Sequence, residues 1–123
     1  MADTDRELLE LAAKAAGIVL GEHARFIGDL PQLWFYNDSR KHPMCRKPSR
    51  PGNVPWAPLA DDGDALRLAN KLWLQIRHVH GKAHAGMPDR FWCTELWFPD
   101  GDQDAATRRA IVRAAAEIGR AMP

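Results

Sequence analysis

Histidine and cysteine residues in the second half of the chain have the types that zinc binds. His78 and His80 alternate along a predicted strand, which places both imidazoles on one face, and His84 and Cys93 follow within reach of a hairpin. Zinc takes imidazole and thiolate ligands. A structural zinc site usually shows closely paired ligand motifs, and the pattern here is incomplete. We therefore expect no bound metal, and we place these histidines at a sheet margin.

A second pair, His42 and Cys45, lies in the first half of the chain. It would form a site with His78 and His80 only if its segment folds over the hairpin. Cys45 has basic neighbours, as a reactive thiol requires, whereas Cys93 falls in mid-strand and is expected to be buried. The sequence has no Ser-His-Asp arrangement, phosphate-binding glycine loop or dinucleotide-binding motif that can be inferred. It therefore predicts no catalytic residues and no cofactor.

The segment 38–58 is rich in proline and in basic residues, and it has no acid after Asp38. Its basic residues are Arg40, Lys41, Arg46, Lys47 and Arg50. We interpret it as a long extended loop. Such a loop can contact phosphates, but the aromatic residues that alternate with basic ones in single-strand binders are missing inside the basic run. A solvated loop whose charges aid the encounter with a partner is the favoured interpretation.

Aromatic residues give the strongest indication of binding. The chain has five tryptophans, Trp34, Trp56, Trp73, Trp92 and Trp97. A small sheet has one well-covered face, so some of these side chains are expected to be exposed, and exposed aromatics beside arginine are typical anchors of protein interfaces. Arg90 and Trp92, at the start of the best predicted strand, are therefore the expected partner-binding residues outside the basic loop.

The stretch 56–72 connects the two halves and predicts a turn that leads into a helix. The helix should begin within Asp61–Asp64, where short acidic side chains accept hydrogen bonds from the first-turn amides. Its apolar stripe is expected to bury Leu66, Ala69 and Leu72, with Trp73 following at helical spacing. The acidic run could alternatively bind calcium or magnesium, but it lacks the later ligands of a calcium loop, so helix capping is the favoured interpretation.

Other elements follow from caps, periodicity and turn residues. A helix over 5–16 begins with a capping box at Thr4 and ends at Gly17. A last helix begins at Asp102 or Asp104 and ends at Gly119. The predicted strands are 25–27, 33–36, 74–80 and 90–98, with a turn at 81–88 and a hairpin between the last two strands; the stretch 18–20 is a further candidate for a short strand. The sequence thus predicts one α+β domain over 1–123, a small antiparallel sheet packed by about three helices in the order α-β-β-α-β-β-α.

Three stretches resemble the NinX-like family of small phage and prophage proteins. The central one is W-x-P-L-x-D-D-G-D-A-L-R-L-A-x-K-L at 56–72, and D-R-E-L-L-E-L-A-A-K-A-A-G at 5–17 and A-A-T-R-R-A-I-V-R-A-A-A-E-I-G at 105–119 resemble the first and last helices of the family. The sequence departs from that pattern at Asn70 and Trp73, where an apolar residue and glycine are usual. The resemblance implies a phage or prophage origin and carries over no activity and no catalytic residue. The segments 23–50 and 77–92 match nothing in that pattern.

Composition sets limits on the function. A formal net charge of +1 and 27% charged residues are not those of a strongly basic nucleic-acid binder. No apolar run approaches a membrane span, and the N-terminus does not have the pattern of a signal peptide, so we expect a cytoplasmic protein in the host cell. We expect non-catalytic binding to a host or phage protein, with counter-defence or host takeover as versions. The alternatives are a nucleic-acid-binding accessory protein that uses the loop 40–50, and a small metal-dependent enzyme. The sequence does not indicate an oligomeric state.

Overall fold

The computed structural model describes residues 4–27, 30–36, 53–99 and 101–123. The basic residues Arg40, Lys41, Arg46, Lys47 and Arg50, and the pair His42 and Cys45, lie outside these ranges. The described elements are α1 (Asp5–Ala16), β1 (Leu20–Ile27), β2 (Leu30–Tyr36), β3 (Asn53–Trp56), α2 (Asp62–Leu72), β4 (Gln75–Val79), β5 (Lys82–Met87), β6 (Phe91–Leu96) and α3 (Gln103–Ala121).

The α+β class is confirmed, and each half of the chain has one strand more than predicted. The strands form two antiparallel three-stranded sheets, β1-β2-β3 and β4-β5-β6. The predicted turn at 81–88 is wrong, because Lys82–Met87 is the central strand β5 and separates the two strands expected to pair. The end of the predicted proline-rich loop is also a strand, β3, which pairs with β2.

Helix α1 begins and ends as predicted. The Thr4 side chain accepts a hydrogen bond from the amide of Glu7, and the Glu7 carboxylate accepts one from the amide of Thr4. Gly17 closes the helix in the left-handed conformation with φ 74°. Because both ends are fixed by short-range hydrogen bonds, local sequence is enough to define this helix.

Helix α2 has the predicted N-cap but buries a different face. The Asp61 carboxylate accepts a hydrogen bond from the amide of Asp64. Ala65, Leu68 and Ala69 are buried, whereas Leu66 is 54% exposed, so the prediction that Leu66 is buried is wrong. The buried residues have the spacing i, i+3, i+4 and define the stripe that packs on α3.

The core lies around α3, which packs against α1, α2, β5 and β6. Its buried alanines Ala110, Ala114 and Ala115 let these elements approach closely. Trp56, only 1% exposed, joins the same core from β3. The prediction that Gly119 ends the helix is wrong, because α3 continues to Ala121. None of the helices in the described ranges is long and apolar enough to cross a membrane.

Candidate functional site

The two faces of the sheet β4-β5-β6 differ sharply. On one face, Ala83 and Ala85 are fully buried and Cys93 is nearly so, in the core around α3. Side chains alternate along a strand, so their neighbours in sequence point the other way. We call that second side the outer face.

Strand register arranges the outer face in three rows across the sheet. The rows are Gln75–Gly86–Trp92, Arg77–His84–Thr94 and Val79–Lys82–Leu96. None of these nine residues is acidic. The face therefore combines basic groups with apolar side chains and carries no carboxylate of its own.

Trp92 is the centre of the contacts on the outer face. The Arg77 guanidinium carbon lies 5.9 Å from the centroid of the Trp92 ring, in a cation–π arrangement. The His84 ring meets Trp92 edge-on, with the centroids 6.5 Å apart at 85°. A hydrogen bond joins His84 Nδ1 and Thr94 Oγ1 at 2.8 Å, which fixes the imidazole from the other side. Trp92 keeps 38% of its surface exposed, as the sequence predicts.

A shallow depression of about 340 Å³ lies beside this aromatic contact. It is lined by Arg77, Val79, His84, Trp92 and Thr94. The end of the depression next to the third row is apolar, because Val79 and Leu96 of that row are 38% and 70% exposed. A ligand in this depression would meet a guanidinium and an indole at one end and aliphatic groups at the other.

The remaining predicted partner-binding residue, Arg90, lies in the turn between β5 and β6. Its side chain is exposed, and its amide donates a hydrogen bond to the carbonyl oxygen of Met87. Asp89, exposed in the same turn, has a left-handed backbone with φ 69° and an opposite charge. Arg90 thus borders the outer face at the Trp92 end and is not one of its nine residues.

The histidines and Cys93 do not come together. The prediction that His78 and His80 share a strand face fails because β4 ends at Val79 and His80 is a turn residue with φ 49°. His84 is on the outer face, while Cys93 points into the core. Within residues 4–27, 30–36, 53–99 and 101–123, no group of three or more His, Cys, Asp or Glu residues could hold a metal ion.

His78 contacts α3 across a second, smaller cleft. Its Nε2 is 2.8 Å from Thr107 Oγ1, and that hydroxyl donates to the carbonyl oxygen of Gln103. The Thr107 hydroxyl therefore links His78 of β4 to the preceding turn of α3. The cleft, about 220 Å³, is also lined by Asp62 and Arg108, which already form an ion pair at 2.6 Å. These contacts orient α2, β4 and α3 relative to one another.

Sequence reasoning missed His84, Lys82 and Leu96 as parts of one surface because it did not recognise β5. The signal was present: in K-A-H-A, Lys82 and His84 alternate with Ala83 and Ala85. That period-two pattern predicts a half-buried strand. Glycines and a proline near it favoured a turn instead.

Comparisons of this chain with protein-family models, with curated proteins and with solved structures found no match.

Proposed function

We propose that this chain is a non-catalytic binding protein and that the outer face of β4-β5-β6 contacts a protein partner. The observation that carries the proposal is the exposed indole of Trp92, held between Arg77 and His84 on a sheet face that none of the described helices covers. Tryptophan and arginine dominate the binding energy of many protein interfaces. The resemblance of 5–17, 56–72 and 105–119 to NinX-like phage proteins supports a host or phage protein, in the cytoplasm of the host cell, as the partner.

Site-specific photo-crosslinking tests which surface meets the partner. A photoreactive amino acid replaces Leu96 on the outer face or, as the matched control, Leu66 on α2; these leucines are 70% and 54% exposed. We expect a discrete crosslinked protein in host-cell lysate from position 96 and none from position 66. Equal crosslinking at both positions, or crosslinking at position 66 alone, would contradict the proposal.

Truncation of Trp92 tests the anchor once the crosslinked partner is purified. We expect Trp92→Ala to weaken binding by about 2 kcal/mol or more, roughly thirtyfold, the scale of an interface hot spot. The melting temperature should change little because the indole lies on the exposed side of the sheet. Trp92→Phe keeps an aromatic ring and should retain most of the affinity. Unchanged affinity in a folded Trp92→Ala protein would remove Trp92 from the site, and a large loss of stability would assign it to the core.

A further inference from the structure

The charge of the outer face indicates what kind of partner segment it accepts. Arg77 and Lys82 are exposed, and no carboxylate of the described residues lies within ion-pair distance of either. By contrast, Arg109 and Arg113 of α3 each form an ion pair with Glu95. The outer face is thus a place where basic groups and their donors stay available to a ligand.

We infer that the outer face binds an acidic polypeptide segment that carries an apolar side chain, and this inference rests on the proposed function. The segment's carboxylates would contact Arg77 and Lys82. Its apolar side chain would lie in the depression between Trp92 and Val79. Charge complementarity of this kind sets the partner choice and speeds the encounter.

A second copy of the chain does not fit this surface. Face-to-face association through a two-fold axis would bring two basic faces together, and Arg77 and Lys82 of one copy would find no carboxylate among the nine residues of the other. Like charges brought together in this way oppose binding. The occupant is therefore a different molecule with the opposite charge.

Single-stranded nucleic acid matches the charge but fits the surface less well. Proteins that bind single strands stack successive bases on aromatic side chains. The aromatic rings among the nine outer-face residues are Trp92 and His84, and they meet edge-on at 85°, so they do not provide parallel stacking surfaces for successive bases. Val79 and Leu96, in the third row, are aliphatic and provide packing without a stacking surface. An aliphatic and aromatic surface bordered by basic groups favours a peptide.

NMR titration of the full chain, labelled with ¹⁵N, tests the inference. The probes are three peptides of about ten residues with two leucines each, whose other residues are all Glu, all Gln or all Lys, and a thymidine oligonucleotide of about ten nucleotides. With the Glu peptide we expect shift changes at Arg77, His84 and the indole N–H of Trp92. The affinity for the Glu peptide, measured from these shift changes, should be at least fivefold weaker at about 1 M salt, where the Debye length is about 3 Å, than at about 0.1 M salt. The Gln and Lys peptides should not shift the same signals.

Matched lysine variants locate the charge that binds the peptide. Lys82→Ala, on the outer face, should weaken binding of the Glu peptide about threefold or more. Lys71→Ala, an exposed lysine at the end of α2, should leave it unchanged.

Any other result of the titration would overturn the inference. Equal shifts with the Gln and Glu peptides would show that charge does not select the partner, and the protein-binding proposal would stand. Shifts on this face from the oligonucleotide in place of the Glu peptide would overturn both the acidic-peptide inference and the protein partner. No response to any probe would also overturn the inference, and crosslinking at position 96 would then decide separately whether the face binds a protein.

Discussion

Trp92 and Cys93 are neighbours in sequence whose side chains lie on opposite faces of β6. Trp92 is 38% exposed on the outer face, while Cys93 is 7% exposed and faces the core. The alternation of the strand alone places one side chain on the outer face and the other in the core. Burial raises the pKa of the Cys93 thiol above its ordinary value of 9.0. The positive charge of Arg113 lowers this pKa in part, and the carboxylates of Glu117 and Glu95 raise it further.

The raised pKa of Cys93 predicts a stability effect at high pH. The unfolded chain releases the thiol proton first, so the stabilisation is fully present below the ordinary pKa of 9.0 and is lost as the pH rises through the folded value. We expect the free energy of unfolding of the natural chain to fall, relative to that of Cys93→Ala, above about pH 9. Urea denaturation of both proteins between about pH 7 and pH 10, under reducing conditions, measures this difference. Because Cys45 is present in both proteins, its titration cancels, and a difference that does not change with pH would contradict the prediction.

At the scale of elements, helix ends are set by local contacts and helix faces are not. Thr4, Asp61 and Asp102 each accept hydrogen bonds from amides of the following turn; the sequence predicts the first, and the structure selects the other two from the neighbouring acids at 61–64 and from Asp102 or Asp104. The C-terminal end of α2 is different, because Trp73 takes the left-handed conformation with φ 60° while 86% of its surface is exposed. Glycine adopts this conformation without steric cost, whereas a residue with a Cβ atom does not.

We expect Trp73→Gly to stabilise the protein by about 1 kcal/mol. The substitution relieves the left-handed strain, and the exposed indole contributes little burial to lose; the greater freedom of glycine in the unfolded chain offsets part of the gain. Trp73→Ala is the control, since it removes the indole but keeps the Cβ atom. Urea denaturation should show the gain in the glycine variant alone, and equal stabilities for the two variants would contradict the assignment of strain to the backbone.

At the scale of the whole molecule, the first and last helices, α1 and α3, pack against each other and complete the core. Helices α1 and α3 pack closely, and a Cβ atom at Gly119 would lie 2.0 Å from the carbonyl oxygen of Leu11. Arg109 adds an electrostatic link, because it contacts Asp5 of α1 and Glu95 of β6 at 2.9 and 3.2 Å. This packing holds α3 in place and so supports the inner face of the sheet whose outer face we propose to bind a partner.

The close approach at Gly119 predicts a reversal of the usual effect of alanine in a helix. Inside a helix, alanine is more favourable than glycine by about 1 kcal/mol. At Gly119 the added methyl group would overlap with the backbone of α1, so we expect Gly119→Ala to destabilise the protein by about 1–3 kcal/mol. Gly63→Ala in α2 is the control, since the nearest atoms to its Cβ would be the side-chain ends of Arg67 and Asp61 at 3.1–3.3 Å, and not backbone atoms. A Gly119→Ala protein as stable as the natural chain by thermal melting would rule out this tight packing.

The sequence by itself determined the features that depend on neighbouring residues. The cap at Thr4, the acidic starts of α2 and α3, the strand that carries Trp92, the burial of Cys93 and the α+β class all follow from short-range hydrogen bonds and from side-chain periodicity. These signals lie within a few residues of each other, so no tertiary information is needed to interpret them.

Only the tertiary structure decided which faces are covered and which residues meet. Leu66 is a large apolar residue of the kind that usually lies in a core. However, α3 covers the neighbouring face of α2, so Leu66 remains exposed. The outer face exists because β5 pairs with both β4 and β6, which aligns Arg77, His84 and Thr94 across three strands. Strand pairing and helix packing join residues far apart in sequence, and local patterns carry no record of the register that brings them together.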